Sequence, residues 1–420
     1  MVKQEQIITA LDIGTTKICC IISTITENDQ IEIRGIGETK SYGLSRGVVS
    51  NIRQASESIL KAIEEAERMA DLPAENIFVG IAGEHIKSYT AKGIVKVTGT
   101  KKYPTEITEK DVEKVKEDAK HLASIGNDRK IIHVMPMYYT IDNRPGIKEP
   151  VGMSGNRLEA DVYIITADIN SVMNIYHSID RIEYKAKDLV LESIASSSAV
   201  LDEDEKELGA LLIDIGGGSA DIAVYHKQNI CFTEVIPFGG QSITNDIAIG
   251  LRTPNKQAEL IKIKYGHAIP EDIDEGEIIT VPGIGGREGV KKTRKFIAEI
   301  INPRITEILE MTYKKVKDIS AFKALTAGVI ITGGASKLKG TDLLGERIFN
   351  MPVQIGYPRL DNLAGITDSI NDPRFSTAIG LLYLGKENFE GNPFDKTTGK
   401  SLFELIWNRM KELFRFEDFV

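Results

Sequence analysis

Two segments of the chain, about half its 420 residues apart, share one pattern of strand, turn and returning strand. The first is LDIGTTK at residues 11–17, and the second is IDIGGGS at residues 213–219. In both, an apolar strand ends in an Asp, an Ile-Gly pair and small or hydroxylated residues form the turn, and an apolar strand follows. The repeat predicts two similarly built halves, each of which offers one β-hairpin to a shared cleft.

Turns of this composition suit phosphate groups. Glycines let the backbone approach an anion closely, and successive N–H groups in a tight turn form a concave nest for it. The predicted phosphate-binding residues are Gly14, Thr15, Thr16 and Lys17 in the first hairpin and Gly216, Gly217, Gly218 and Ser219 in the second. An aspartate at each strand end, Asp12 and Asp214, would hold Mg²⁺ through its water ligands. One such turn alone is more simply an ordinary hairpin, but two at the ends of comparable strands favour a phosphate cleft.

A third segment, GVIITGGASKL at residues 328–338, has the pattern of a buried strand, a Gly-Gly turn and the start of a helix. A nucleoside could lie against this turn because its glycines carry no side chains. The predicted residues of this adenosine motif are Gly333, Gly334, Ala335 and Lys337. A predicted helix over 257–262 places Glu259 and Lys262 at i, i+3 on one face, where they would suit ribose hydroxyls and the base edge. Taken alone, that pair is more simply a solvated helix face.

The order of the two hairpins and the Gly-Gly turn resembles the actin, Hsp70 and sugar-kinase superfamily. Residues 192–200 (ESIASSSAV) and 376–382 (STAIGLL) resemble its two connecting helices, whose small residues allow close packing at the hinge between the halves. In that superfamily, an acidic or amide residue at the head of the first connector orients the attacking water, which here would be Glu192. The alternative is a carboxylate that stabilises the N-terminus of a helix. The resemblance implies catalytic roles for Glu192, Asp12 and Asp214, with ATP or ADP and Mg²⁺ as cofactors.

Further segments along nearly the whole chain resemble the FtsA family of bacterial cell-division proteins. These segments are residues 40–52, 79–86, 132–136, 152–158 and 238–248. The resemblance implies an α/β, actin-like (ribonuclease-H-like, duplicated) fold with two halves around a nucleotide cleft, an inserted 1C subdomain and a C-terminal amphipathic helix. The implied boundaries are 1–84 and 163–208 for subdomain 1A, 85–162 for 1C, 209–240 and 302–375 for 2A, 241–301 for 2B, 376–385 for the second connector, 386–400 for a linker and 401–420 for the terminal helix.

The tail combines an apolar stripe with positive charge. Residues 386–400 are rich in polar, Gly, Asn and Pro residues, which is typical of a linker. Spacings of three, four and seven place most large apolar residues of the next segment on one face of a helix, namely Leu402, Phe403, Ile406, Trp407, Met410, Leu413 and Phe414. Residues 396–415 carry five basic against two acidic side chains, a local net charge of +3, which favours anionic lipid. The alternative is a terminal helix that packs on the protein's own core.

Composition narrows the partners and the compartment. A net charge of −9 argues against nucleic acid, because binding to a phosphate backbone needs net or clustered positive charge. Three cysteines do not form a disulfide framework and suit a reducing cytoplasm. No signal peptide is visible, and no apolar run approaches the ~20 residues that a spanning helix needs. We therefore expect neither secretion nor a membrane span, and a peripheral attachment remains compatible with the sequence.

The resemblance also implies partners. FtsA-like proteins form actin-like protofilaments, recruit the tubulin-like FtsZ to the cytoplasmic face of the membrane at the septum, and contact other divisome proteins through 1C. The FtsZ tail docks on 2B and its junction with 2A, where the sequence offers Lys292, Arg294, Lys295 and Arg304 as a basic face. The implied protein is mainly a scaffold with weak ATPase activity. The alternative is a sugar-type kinase of the same superfamily with Asp161 or Asp221 as base, although no sugar-binding constellation is evident.

Overall fold

The structure is a computed structural model that describes residues 6–97, 105–283 and 288–390, with side chains up to residue 388. The sheet of the first half has the strand order β13-β6-β1-β2-β3-β21. Its strands are β1 (Ile7–Ile13), β2 (Lys17–Ile25), β3 (Ile31–Lys40), β6 (Ile77–Ile81), β13 (Ala186–Leu191) and β21 (Leu363–Gly365). All seven residues of β1 are buried, because helices cover both faces of this central strand.

Two helices and a short ribbon complete the first half around this sheet. They are α1 (Ile52–Ala70), α3 (Ile169–Asp180), β4 (Leu44–Ser45) and β5 (Val48–Val49). Asn51 caps α1 by accepting a hydrogen bond from the N–H of Gln54, which fixes where the helix begins. A Cβ on Gly37 of β3 would lie 2.8 Å from the backbone nitrogen of Ala66. Glycine on the strand therefore lets the α1 backbone rest directly on the sheet.

The insert forms a separate four-stranded antiparallel sheet in the order β10-β9-β12-β7. Its elements are β7 (Lys87–Lys96), β8 (Thr105–Glu106), α2 (Glu109–Leu122), β9 (Arg129–Ile141), β10 (Arg144–Ile147), β11 (Ser154–Gly155) and β12 (Arg157–Asp168). A capping box between Thr108 and Asp111 starts α2, and its buried residues Val115 and Ala119 cover the sheet. Strand β12 continues to Asp168, past the boundary at 162 predicted from the sequence, and leads directly into α3.

The second half repeats the strand arrangement of the first. Its sheet has the order β16-β15-β14-β19-β20. The strands are β14 (Ala210–Ile215), β15 (Ala220–His226), β16 (Asn229–Ile236), β19 (Gly328–Thr332) and β20 (Val353–Ile355). In each half, the strand that carries the aspartate pairs antiparallel with the next strand and parallel with a later one: β1 with β2 and β6, β14 with β15 and β19. The predicted duplication is confirmed.

Helices and a ribbon surround the second sheet. They are α5 (Glu203–Leu208), α6 (Gly240–Leu251), α7 (Asn255–Tyr265), β17 (Ile278–Val281), β18 (Val290–Thr293), α8 (Arg294–Val316) and α9 (Thr341–Phe349). Helix α8 contains Pro303 in its interior. Ile297, Ile301 and Ile305 of this helix are fully buried in the core of the second half, which holds the helix despite the proline.

Two helices cross between the halves, α4 (Glu192–Val200) and α10 (Ser376–Glu390). A Cβ on Gly380 would lie 2.9 Å from the Cα of Ala195 and closer still to its carbonyl group, so the predicted close packing of the connectors is confirmed. Helix α10 runs to Glu390, so the start of the predicted linker at 386 is wrong, because these residues continue the helix. Residues 391–420, with the predicted amphipathic helix, lie outside the described residues. None of the described helices is long and apolar enough to span a membrane.

Candidate functional site

The turns of the two predicted hairpins meet face to face. A Cβ on Gly217 would lie 3.0 Å from the Cβ of Thr16, and one on Gly218 would lie 2.8 Å from the Cβ of Thr15. Any side chain at these glycines would therefore collide with the opposite turn. The structure brings together the two turns predicted to bind phosphate. A phosphate group between them needs the two turns to lie farther apart than they do here.

The second hairpin directs its N–H groups away from α6. The carbonyl groups of Gly216 and Gly217 accept hydrogen bonds from the backbone nitrogens of Gly240 and Gln241, at 2.9 and 2.8 Å. In a trans peptide, the N–H points opposite to the C=O of the same peptide unit. The N–H groups of Gly217 and Gly218 therefore point away from the start of α6, where an anion could accept both.

The two predicted metal-binding aspartates are buried at the ends of their strands. Asp12 is 7% exposed, and burial raises its pKa to about 6, with Lys17 opposing this and Asp214 adding to it. Asp214 accepts hydrogen bonds from Ser196 of α4 and, at 3.2 Å, from Thr377 of α10. Burial raises the pKa of Asp214 as well, although these two hydroxyl groups oppose it. Each connector thus contributes one hydroxyl group to the same carboxylate.

Glu192 begins α4 beside the two aspartates. A Cβ on Gly80 of β6 would lie 3.1 Å from Cγ of Glu192, so the glycine makes room for this side chain. Burial, then Asp12, Asp221 and Asp214, raise the pKa of Glu192 well above its usual range. Glu192 is half-buried by surface area, so the neighbouring carboxylates remain an important cause. The neighbouring carboxylates favour the neutral form of Glu192. A cation that neutralised the aspartates would favour the ionised form, which can accept a proton.

Asp221 belongs to the same group, although from the sequence it was a candidate only for the base of a sugar-type kinase. It lies directly opposite Asp214 in the antiparallel pair of β14 and β15 and is 3% exposed. Ser219 donates a hydrogen bond of 3.1 Å to its Oδ2, while its Oδ1 is buried without a partner among the described residues. Burial, then Asp214, raise its pKa to about 8. The hairpin register would have found it, since residues equally distant from a turn face each other.

This group of carboxylates fits a hydrated divalent cation. After burial, Asp214 raises the pKa of Asp12 and Asp221, and all three aspartates raise the pKa of Glu192. Lys17 lowers the pKa of Asp12 and Asp214. The partnerless Oδ1 of Asp221 is an acceptor that a metal-bound water would satisfy. Within residues 6–97, 105–283 and 288–390, no three His, Cys, Asp or Glu side chains are grouped as direct metal ligands. A cation held by these side chains would keep several of its waters, as Mg²⁺ commonly does in proteins.

Lys17 links the first hairpin to the start of α10. Its Nζ donates a hydrogen bond of 2.9 Å to the carbonyl oxygen of Arg374 and lies 4.3 Å from the centroid of the Phe375 ring. It also lies 3.9 Å from the carboxylate of Glu38. The ammonium group predicted to bind phosphate is therefore held at the rim of the cleft.

The predicted adenosine residues divide into two groups. Lys262 donates to the carbonyl oxygen of Gly240 at 3.0 Å and pairs with Glu259 at 2.8 Å, and a Cβ on Gly240 would lie 3.2 Å from that of Ala335. These residues line one corner beside the second hairpin. By contrast, Lys337 is half-exposed and pairs with Asp372.

Gly333 has a structural role besides the predicted one, because its missing side chain makes room for Asp214. Its φ is 85°, and a Cβ there would collide with Oδ1 of Asp214 and lie 2.8 Å from the carbonyl carbon of Ile215. Gly334 is exposed. Glycine at 333 is thus required by the backbone conformation and by the neighbouring carboxylate of Asp214.

The predicted basic face on 2B is largely neutralised within the chain. Arg294 pairs with Glu277 and Lys295 with Glu275, each at 2.8 Å, and Lys292 lies over the Phe296 ring at 4.9 Å. Arg304 has carboxylate partners on two sides and an aromatic ring below it. Its contacts are Asp246 at 2.7 Å, Glu307, and the centroid of Phe238 at 5.2 Å. The structure thus places Arg294, Lys295 and Arg304 beside acidic partners, and their contact with an acidic peptide stays a prediction.

Known proteins match the chain in sequence and in fold. The model of the family described as "Cell division protein FtsA" matches residues 211–380, and that of the SHS2 domain inserted in FtsA matches residues 83–166. Cell division protein FtsA of Pseudomonas aeruginosa is 41% identical over 384 residues, 91% of this chain and 90% of that protein. Cell division protein FtsA of Neisseria meningitidis is 41% identical over 394 residues, 93% of this chain and 93% of that protein.

Solved structures show the fold alone, because the sequences are distant. The PilM–PilN type IV pilus biogenesis complex contains a chain with a TM-score of 0.63 at 15% identity, over 90% of this chain and 98% of that one. MreB5 of Spiroplasma citri bound to AMPPNP gives a TM-score of 0.51 at 14% identity, over 92% and 98%. The chain therefore has the predicted actin-like fold. The sugar-kinase alternative is not favoured, since the family models and the relatives at 41% identity are those of a cell-division protein.

Proposed function

This chain belongs to the FtsA family of cell-division proteins, and on that basis we propose that it is an ATP-binding, filament-forming protein that tethers FtsZ protofilaments to the inner face of the cytoplasmic membrane at the septum. The observation that carries the nucleotide part is the pair of glycine turns that meet across the cleft, with Asp12, Glu192, Asp214 and Asp221 beside them. Two turns that face each other, with a group of buried carboxylates beside them, suit the polyphosphate and the Mg²⁺ of one ligand.

The chemistry of each residue indicates which part of the nucleotide it would bind. The N–H groups of Gly217 and Gly218, with the hydroxyls of Thr15 and Thr16, would bind phosphate oxygens. Asp12, Asp214 and Asp221 would accept hydrogen bonds from the water ligands of Mg²⁺, which, when bound, neutralises phosphate charge. Glu192 would then lose its proton and orient a water molecule. Glu259, Lys262 and Ala335 line the corner proposed for the nucleoside. MreB5, of the same fold, was crystallised with AMPPNP, which supports a nucleotide in this cleft.

The tethering part of the proposal has separate support. The sequence of residues 401–420 predicts an amphipathic helix with Trp407 on its apolar face and basic neighbours. The FtsZ tail is proposed to bind 2B near Arg304. Since Asp246 and Glu307 already pair with Arg304, an acidic peptide would have to displace them. We therefore expect this contact to be weak for one molecule and strong for an array of them.

Nucleotide binding is tested by titrating the purified protein with a fluorescent ATP analogue in Mg²⁺ and in EDTA. We expect the ATP analogue to bind more tightly in Mg²⁺ than in EDTA. We expect Asp214→Ala to abolish this difference in affinity. Asp161→Asn is the matched control, because Asp161 lies on β12 of the insert, away from the cleft residues. Equal affinity in Mg²⁺ and EDTA for the unchanged protein would contradict the proposed metal site, and no binding at all would contradict the nucleotide function.

A further inference from the structure

The insert touches the second half of the molecule through two sheet edges. Strand β7 is the outer strand of the insert sheet, and β16 is the outer strand of the second-half sheet. These two edges lie against each other without forming a ladder. We call β7, β16 and the Tyr163 side chain the seam.

The hydroxyl group of Tyr163 joins the seam. Tyr163 lies on β12 and is 3% exposed. Its oxygen accepts a hydrogen bond of 2.7 Å from the backbone nitrogen of Thr233 on β16 and lies 3.2 Å from the Thr233 hydroxyl. Ser88 of β7 lies near enough to the Tyr163 hydroxyl to lower its pKa. One buried oxygen is thus bonded to β16 and lies beside β7. A second link, on the surface, is the ion pair between Lys148 and Glu207 at 3.2 Å.

The seam is rigidly connected to the cleft. Thr233 of β16 pairs with Ala223 of β15. Ala223 lies two residues from Asp221 of the cleft on the same strand. The same strand β15 leaves the turn that contains Gly217 and Gly218. A rotation of the second half that separates the two turns therefore moves Thr233 relative to Tyr163. On the other side, β12 pairs with β7 over ten residues and with β9 over eleven, so the insert sheet moves as one body with Tyr163.

From these contacts we infer that the seam couples the position of the insert to the opening of the cleft, so that a nucleotide between the hairpins changes how the insert is held against the second half. The inference rests on the proposed nucleotide binding. Strand β12 leads directly into α3 of the first half, so the insert stays with that half when the cleft opens. Opening therefore strains the Tyr163–Thr233 hydrogen bond and changes access to β16.

A native cysteine reports on the seam. Cys231 is half-buried on β16, two residues from Thr233, whereas Cys19 and Cys20 are fully buried. Burial also raises the pKa of the Cys231 thiol, so its reaction with N-ethylmaleimide at pH 8 responds to local opening. The reaction is followed by intact mass, with and without saturating MgATP, and ATP binding is measured separately by calorimetry.

The expected results are specific to the hydroxyl group. In the unchanged protein, MgATP changes the labelling rate of Cys231 severalfold. Tyr163→Phe keeps the ring but leaves the Thr233 N–H unpaired, so labelling without nucleotide becomes about tenfold faster, the order expected for one lost hydrogen bond to a buried group. In the same variant, the labelling rate of Cys231 should no longer depend on MgATP. Tyr184→Phe is the matched control, because it removes a hydroxyl that bonds Glu67 at 3.0 Å inside the first half, and it should behave as the unchanged protein does.

Two results would overturn the inference. One is an unchanged labelling rate when calorimetry shows that MgATP is bound. The other is a Tyr163→Phe protein that keeps the full nucleotide dependence. If calorimetry shows no ATP binding, the proposed function fails, and the rates of Tyr163→Phe and Tyr184→Phe without nucleotide still test whether Tyr163 holds the seam. If Tyr163→Phe does not fold, as judged by circular dichroism, Thr233→Ala removes only the 3.2 Å contact and should reduce the nucleotide dependence.

Discussion

Replacing Gly380 by alanine should destabilise the crossing of the two connectors. The added Cβ would lie 2.9 Å from the Cα of Ala195 and closer to its carbonyl group, whereas ordinary van der Waals contact begins at about 3.4 Å. The obstacle is backbone in a neighbouring helix, so α4 and α10 must move apart by more than about 1 Å. Overpacking of this kind costs about 3 kcal/mol, and alanine returns about 1 kcal/mol through its helix propensity. We expect a net loss of about 2 kcal/mol in the free energy of unfolding.

The matched control is Gly250→Ala in α6. Its Cβ would lie 2.7 Å from Cδ1 of Ile300, the far end of a side chain that can rotate away, so the expected change is within about 1 kcal/mol of zero. Urea unfolding followed by circular dichroism measures both variants. If Gly380→Ala were as stable as Gly250→Ala, the connectors would not cross in backbone contact, and the hinge proposed here would be wrong.

Three further predictions concern the carboxylates. Asp221→Asn should weaken ATP affinity in Mg²⁺ about tenfold, the size of effect seen for groups that orient metal ligands. Affinity in EDTA should stay unchanged. An equal loss of affinity in both conditions would count against a role of Asp221 at the metal. Because the pKa of Asp221 is raised to about 8 from 3.8, the folded protein binds this proton more tightly than the unfolded chain, so its contribution to stability is present below pH 3.8 and lost as pH rises towards 8. Urea midpoints without nucleotide should therefore fall less between pH 5.5 and 8.5 in Asp221→Asn than in the unchanged protein. Finally, Glu192→Ala should keep nucleotide affinity and slow any ATP hydrolysis by about 10²-fold, whereas equal turnover in both proteins would leave Glu192 only its role at the start of α4.

Local sequence signals predicted the parts of the site that lie on short segments. Asp12 and Asp214 end apolar strands, and the turns after them consist of residues with strong turn preferences, so the hairpins and the duplication were readable. The small residues of the connectors likewise predicted their close crossing. The position of Asp221 could also have been predicted, because the register of the hairpin places it opposite Asp214.

Contacts between distant segments were not predictable in this way. Nothing near Lys17 in sequence indicates that its ammonium group bonds to the carbonyl oxygen of Arg374, since that contact depends on how the two halves close. The reason for Gly333 was missed because Asp214 reaches it only through the parallel pairing of β14 with β19. Similarly, a run of basic residues does not reveal that Glu275 and Glu277 lie beside it.

Co-sedimentation with vesicles measures whether the C-terminal tail attaches this chain to a membrane. The full chain, the Trp407→Glu variant and a variant that ends at residue 390 are mixed with anionic vesicles, with and without MgATP. We expect the full chain to sediment with the vesicles, and to do so more completely with MgATP because polymers present many tails. We expect Trp407→Glu to sediment less and the shortened chain to stay in the supernatant. Equal sedimentation of the full and shortened chains would show that the tail does not attach the protein to the membrane.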